Sequence, residues 1–320
     1  MTDETPTTTI GRRRLRPIVV VSSQRRKWLE LALFVVPALL FYLAFVLYPL
    51  VQAVHYSLFN WSGLGPITDF VGFGNYHDAF TDPDFTGAIK HNFILVGLSL
   101  VVQFPIVLSV ALLLDRPFRG RRFARLVFFA PYVLSEAITA VIWLLILQPD
   151  GLVDRTFQSV GLGGAVQLWL ADLNVVLFTM FVVITWKYIG FGIILFLAGL
   201  QGIPQEVNEA AAIDGAGALQ KIRFITLPLL GPTIRIWGFL AIIGLLQLFD
   251  LVWIITQGGP AERSNTMATY MFSNGFVRYE FGYGCAVAVI LFAISFVCAL
   301  LYQHFVMRRD TRGALTRMAA

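Results

Sequence analysis

Long apolar runs alternate with short polar segments along the chain. The runs cover roughly Leu29–Leu50, Phe93–Leu114, Leu126–Leu147, Val175–Leu197, Trp237–Ile255 and Ala286–Phe305. A helix that crosses ~30 Å of hydrocarbon needs about 20 mostly apolar residues, so each run predicts one membrane-spanning helix. Prolines 37, 105 and 131 fall inside runs, where neighbouring helices can re-satisfy the carbonyls they free. The predicted fold class is all-α: a polytopic membrane protein with six transmembrane helices.

Composition supports this picture. Of 320 residues, 57% are hydrophobic and 13% charged, against about 25% charged in a soluble domain. The net charge of +5 does not point to nucleic acid, because the basic residues sit in blocks between apolar runs. Their placement orients the chain. Nineteen of the 24 lysines and arginines lie in the N-terminal segment, the 115–125 and 198–236 loops, and the C-terminal segment. Both termini and those two loops are therefore expected to be cytoplasmic. Three regions follow: a basic cytoplasmic tail (1–28), a six-helix transmembrane domain (29–306) and a C-terminal cytoplasmic tail (307–320). The basic groups from Arg12 to Lys27 precede a full-length span with no small-residue cleavage site, unlike a cleaved signal peptide. The outer loops, with Asp69, Asp78, Asp82 and Asp84 in the first, suit a surface on which an outer partner docks. Cys285 and Cys298, 13 residues apart in one run, point to different helix faces and read as core thiols.

The 198–236 loop carries the most local information. Pro204 is placed to open a helix, and Glu206 and Glu209 then lie near the positive end of its dipole. Ala210, Ala211 and Ala212 combine high helix propensity with almost no side chain, so another surface can approach the backbone closely. Gly215 can stop the helix in a left-handed conformation. A second amphipathic stretch, about Ala218–Thr226, is expected to end at Leu227-Pro228 and feed the fifth span. Two readings are open from these residues alone: a helix–turn–helix that needs a partner, or an amphipathic connector lying at the lipid headgroups.

Glu209-Ala210-Ala211, Asp214-Gly215-Ala216 and Leu227-Pro228 match, at ungapped spacing, the EAA signature of binding-protein-dependent ABC importer permeases. Asp214-Gly215-Ala216 and the segment from Ile225 to Leu230 resemble the carbohydrate-uptake branch. Phe70-Val71-Gly72 with Asn75-Tyr76, the segment Phe196 to Gln201, Gly258-Gly259-Pro260 and Phe281-Gly282-Tyr283-Gly284 follow in the family's order, so the resemblance covers about residues 30–305. One departure is Thr256-Gln257-Gly258-Gly259, where the family often has three successive glycines. The resemblance implies a type I ABC importer permease architecture and a coupling helix that docks in a cleft of a cytoplasmic ATPase. Glu209 would be a polar anchor there, Ala210 and Ala211 the close-contact face, and Gly215 the turn. It further implies a second homologous permease subunit (a heterodimer), two cytoplasmic ABC ATPase subunits, an extracytoplasmic solute-binding protein and a sugar cargo. No cofactor is expected on the chain itself, ATP-Mg being used by the partner ATPase; the chain has no Gly-x-x-x-x-Gly-Lys-Ser/Thr loop with which to bind it.

Glu136, Lys187 and Asp250 are charges at hydrocarbon depth, each costing about 2.5–3.5 kcal/mol near a helix centre on insertion scales. Each should face the bundle interior or water, either as a polar contact in a substrate pathway or as a structural pair. Gln247 lies one turn before Asp250, and Phe249, Trp253, Trp186 and Phe191 are candidates to stack on sugar rings. His55, His77, His91 and His304 are scattered, so no metal or acid–base cluster is indicated. The expected function is a non-catalytic sugar permease subunit. Glycerol-3-phosphate or a related phosphodiester is the alternative cargo, and an ion-coupled secondary transporter the alternative class.

Overall fold

The computed structural model describes residues 24–308; residues 1–23 and 309–320, which hold most of the two expected tails, lie outside the described residues. The chain divides into two compact units, Met1–Val51 and Gln52–Ala320. Among the described residues the secondary structure is helical, apart from one isolated antiparallel bridge between Phe59 and Phe70. In sequence order the helices are α1 (Glu30–Tyr56), α2 (Gly74–Thr81), α3 (Pro83–Asp115), α4 (Arg121–Val133) and α5 (Glu136–Leu147). After them come α6 (Leu152–Ser159), α7 (Val176–Gln201), α8 (Gln205–Ile213), α9 (Ala218–Leu229) and α10 (Gly231–Leu246). The last are α11 (Asp250–Ile255), α12 (Met267–Phe272) and α13 (Phe281–Met307).

Helices α1, α3, α7 and α13 are each long and apolar enough to cross a membrane, and the bent pairs α4–α5 and α9–α10 bring the total to as many as six. Two expected spans are not continuous helices. The third turns by 101° between α4 and α5. Pro131 withholds an N–H from the last turn of α4. Ser135 then starts a new helix, its Oγ accepting from the Ile138 amide at 3.2 Å, as an N-cap does. The fifth stops at Leu246 and resumes at Asp250. There the freed carbonyls find side-chain donors: Asn92 Nδ2 donates to Leu245 O at 2.6 Å, and Thr266 Oγ1 to Leu248 O at 2.7 Å. Backbone groups left open at this depth have no water to turn to, and the break is tolerated because α3 and the residue that opens α12 supply the partners.

Three proline sites explain local widenings of the helices. Pro49, Pro105 and Pro228 each lack the N–H that would reach the carbonyl four residues back. In every case that carbonyl (Phe45, Val101, Phe224) falls inside a π-helical turn, Leu43–Leu47, Ser99–Gln103 and Ile222–Thr226 respectively. The extra residue per turn lets the orphaned carbonyl pair further along. Because of the third such turn, α9 runs through Leu227-Pro228 to Leu229 instead of ending there as expected from the sequence.

Within the second unit α7 is the central element. Its Met180, Val183 and Ile184 pack in one buried cluster with Leu246, Leu251 and Val287, and its Ile193 and Phe196 in another with Val107 and Trp237. At Gly190 the crossing with α4 is so close that a Cβ would lie 2.3 Å from the Phe128 carbonyl oxygen.

Candidate functional site

Three residues after α7, the backbone enters α8, whose N-cap is Pro204, one position earlier than the first helical turn. Helix α8 ends in a Schellman turn: Ala216 N–H donates to Ala211 O at 2.9 Å, Gly215 N–H to Ala212 O at 3.1 Å, and Gly215 has φ +74°. A Cβ at Gly215 would meet nothing within 4 Å, so the glycine is there for its backbone conformation and not for intramolecular clearance. Gln205 Nε2 donates to Glu209 Oε1 at 2.7 Å along the exposed face. Of the signature residues, Ala211 is buried, Ala216 and Leu227 are half-buried, and Glu209, Ala210, Asp214, Gly215 and Pro228 lie towards the exposed side. On either side of the turn Ile213 is 86% and Leu219 77% exposed. Ala211, expected with Ala210 on a close-contact face, is instead buried within the chain. Open apolar side chains such as Ile213 and Leu219 are of the kind that a protein partner covers.

The break in the third span is held from α7 by two successive residues. Lys187 is 2% exposed. Its ammonium donates to the carbonyl oxygens of Pro131 and Tyr132, both at 3.2 Å, and to that of Leu134. These carbonyls close α4 and the bend that follows it, where the helix dipole is negative; that of Pro131 also accepts from the Leu134 amide at 3.3 Å. Tyr188 donates its hydroxyl proton to Glu136 Oε1 at 2.7 Å, and Glu136 opens α5, at the positive end of that helix. Lys187 and Glu136 thus neutralise the facing ends of two half-helices. Glu136 Oε2, Thr139 Oγ1, Trp143 Nε1 and Thr185 Oγ1 are buried without a partner among the described residues.

Beside this break lies a cavity of about 190 Å³ between α3, α4, α7 and α10, lined by Ser99, Gln103, Tyr132, Tyr188, Phe191, Trp237 and aliphatic residues of α7, α10 and the α10–α11 break. The π-turn before Pro105 carries two of its polar residues: Ser99 Oγ donates to Gln103 Oε1 at 2.6 Å, and both side chains are buried in the protein. Trp237 is held in place by Phe104 (ring centroids 5.4 Å apart) and Phe196 (6.2 Å).

The pathway residues expected from the sequence are distributed differently. Lys187 faces backbone, and Glu136 stands behind Tyr188 and outside the cavity wall. Gln247 and Asp250 are exposed at the α10–α11 break. Phe249 stacks on Trp253 (6.0 Å, 11°) and leans on Phe272 (5.2 Å). Trp186 packs edge-on against Trp143. Phe191 alone of the proposed aromatics lines the cavity. Ser99, Gln103, Tyr132, Tyr188 and Trp237 escaped notice because uncharged polar and aromatic residues are common in apolar runs. A usable signal was present in Gln103, an amide two positions before an intrahelical proline.

Elsewhere in the second unit the 256–266 loop folds on its own polar groups. Thr256 Oγ1 and Ser264 Oγ share a 2.7 Å hydrogen bond, and Glu262 lies 3.6 Å from Arg278. Burial pushes the Glu262 carboxyl above its usual range, with Arg278 opposing.

Residues 103–311 match the family described as binding-protein-dependent transport system inner membrane component. The diacetylchitobiose uptake system permease protein NgcF of Streptomyces coelicolor is 31% identical over 332 residues, 98% of this chain and 93% of that protein. The sn-glycerol-3-phosphate transport system permease protein UgpA of Agrobacterium fabrum is 29% identical, over 88% of this chain and 96% of that protein. A subunit in the crystal structure of a bacterial ABC transporter involved in the import of the acidic polysaccharide alginate has the same fold, with TM-score 0.77 and 25% identity over 89% of this chain and 96% of that one. With its broken and unbroken apolar helices and its EAA-type turn, the chain belongs to the binding-protein-dependent inner membrane component family and is a non-catalytic, multi-pass permease subunit of an ABC importer in the inner (cytoplasmic) membrane.

Proposed function

We propose that this permease carries a sugar, an oligosaccharide in particular, and forms half of the translocation path with a second, homologous permease subunit. Helices α8 and α9 dock on one of two cytoplasmic ATPase subunits, and a solute-binding protein delivers cargo on the opposite face. The observation that carries the coupling role is the open α8–α9 turn, where Ile213 and Leu219 stand exposed beside Glu209 and Gly215. Movement imposed on α8 passes through Gly202 and Ile203 into α7. That helix in turn grips both halves of the third span through Lys187 and Tyr188.

The sugar reading draws on the relative named for diacetylchitobiose uptake and on the mixed aromatic and hydroxyl lining of the cavity. The relative named for glycerol-3-phosphate supports the alternative cargo. Family membership sets aside the ion-coupled class. Gly215→Leu tests the coupling role. Because the added side chain meets open space within the molecule, the protein should insert and fold, at a cost of about 1–2 kcal/mol for the left-handed backbone. ATP-driven uptake by the reconstituted importer should nevertheless be lost. Wild-type uptake by this variant rules out the docking role.

A further inference from the structure

Relatives of this protein are named for neutral and for anionic cargo, so family membership leaves the charge class of the cargo open. We infer that the cavity beside the third-span break selects a neutral, hydroxyl-bearing ring and rejects anions, with Gln103 and Tyr188 as its specificity-determining pair and Glu136 as the residue that positions Tyr188. This deepens the sugar reading above and rests on it.

The argument is one of donors and acceptors. Tyr188 has a single proton, and it is spent on Glu136 Oε1 at 2.7 Å. What Tyr188 offers the cavity is therefore oxygen lone pairs, an acceptor. Gln103 is the complement: its Oε1 is taken by Ser99 at 2.6 Å, so its Nε2 hydrogens are what it has left to offer. The residue is 4% exposed, and a donor at that depth carries a desolvation cost that a ligand oxygen relieves. A sugar hydroxyl both donates and accepts, so one hydroxyl or two neighbouring ones satisfy both residues. Phe191, Tyr132 and Trp237 supply flat apolar surface for the C–H face of the ring.

A phosphate or carboxylate fares badly in the same place. It has no proton for the Tyr188 oxygen and would meet acceptor with acceptor. Among the described residues no Lys, Arg or His lines the cavity. The nearby buried cation, Lys187, has its three hydrogens on the carbonyls of Pro131, Tyr132 and Leu134 and none left to give. An anion here would lose its hydration without gaining a counter-charge. The volume, about 190 Å³, is below the ~300–1,000 Å³ of pockets that enclose a drug-sized ligand, which suits one ring at a time.

The test titrates the purified full-length permease, assembled with its partner subunits, with methyl α-glucoside and with glucose-6-phosphate at equal ionic strength. The readout is the fluorescence of Trp237 in the cavity wall, with Trp237→Phe as the control for signal origin. The glucoside should quench and the phosphate should not. Gln103→Leu and Tyr188→Phe should each weaken glucoside binding about tenfold. Glu136→Leu should match Tyr188→Phe, while Glu136→Gln, which keeps an acceptor for the tyrosine proton, should recover most of the affinity. Gln103→Lys supplies the missing cation and should reverse the preference in favour of the phosphate. Equal quenching by both ligands in the wild type, or unchanged affinities in correctly assembled Gln103→Leu and Tyr188→Phe, overturns the inference. Uptake of a neutral oligosaccharide panel by the intact importer separates the two levels. Sugar uptake without cavity quenching removes this inference alone, whereas uptake of glycerol-3-phosphate and of no sugar removes the sugar reading as well.

Discussion

The ammonium of Lys187 lies 3.2 Å from the carbonyl oxygen of Pro131, at the end of a half-helix that then turns by 101°. A charge buried in this way ordinarily calls for a carboxylate partner. Here the partner is the negative end of a helix together with three backbone oxygens, one of which, that of Pro131, also accepts from the Leu134 amide at 3.3 Å. The lysine caps the C-terminus of α4 from a neighbouring helix. Replacing it by methionine keeps the apolar stem and removes the ammonium donor from the Tyr132 and Leu134 oxygens, at about 1–3 kcal/mol for each unsatisfied buried group, while Pro131 O keeps the Leu134 amide. Removal of the buried charge offsets part of this. Lys187→Met should lower the melting temperature of the detergent-solubilised protein by about 5 °C, with insertion unchanged. A melting curve that overlays the wild type would show that the carbonyls are satisfied in some other way.

Asn92 is fully buried and joins three elements: its Nδ2 donates to Leu245 O at 2.6 Å, and its Oδ1 accepts from Met267 N at 2.8 Å. Leucine has a similar volume but satisfies neither group. Asn92→Leu should cost about 1–3 kcal/mol, chiefly for the orphaned Met267 N–H, since Leu245 O keeps the Leu248 amide at 3.4 Å. It should also loosen α12, seen as faster amide exchange over residues 262–275. Exchange there at the wild-type rate would mean that α12 is held by its apolar contacts alone.

Gln257 stands where the family often has a glycine, and it adopts φ +51° with its side chain exposed. The left-handed conformation costs a residue with a Cβ about 1–2 kcal/mol, part of which glycine returns to the unfolded state as entropy. Gln257→Gly should therefore stabilise the protein by about 0.5–1 kcal/mol, measured as a rise in melting temperature. A fall would indicate that the glutamine side chain makes a contact in the assembled importer that outweighs the strain.

Glu262 gives the outer loop a pH dependence. Its folded-state pKa lies above the ordinary 4.5 because burial disfavours the carboxylate, with Arg278 opposing and Asp84 and Asp82 assisting. A raised folded value means that the folded loop holds the proton more tightly than the unfolded state does. The stabilisation is complete below about pH 4.5 and is lost as pH rises through the folded value. Amide exchange over residues 256–266, corrected for intrinsic rate, should accelerate across that interval, and Glu262→Gln should flatten the profile. Acceleration in the opposite direction would assign the dominant role to the ion pair with Arg278.

The apolar runs and the basic loops were enough to identify a multi-spanning helical membrane protein, because bilayer thickness imposes a length and a composition on every crossing segment. The EAA-type loop was legible for a similar reason. Its helix, its alanines and its glycine stop are local backbone chemistry, and Gly215 takes the left-handed conformation that its position suggested. Hydropathy averages over a window, however, and does not see a turn of two or three residues inside an apolar run. The breaks at 134–135 and 247–249 were hidden for that reason, although Pro131 and Ser135 marked the first of them.

Which polar residues meet in space was a matter for tertiary structure. Lys187, Glu136 and Asp250 drew attention as charges in hydrocarbon, yet Lys187 is spent on backbone carbonyls and Asp250 is exposed at a helix start. The cavity draws its polar lining from neutral side chains on three helices, Ser99 and Gln103 on α3, Tyr132 on α4 and Tyr188 on α7. The sequence by itself determined where the protein resides and which loop resembles a coupling element, since both follow from composition and local backbone preference. The helix crossings, set by close approaches such as Gly190 on Phe128, decided the rest: whether a buried polar group is consumed by the fold or left to meet a ligand depends on the neighbours that packing brings within hydrogen-bond reach.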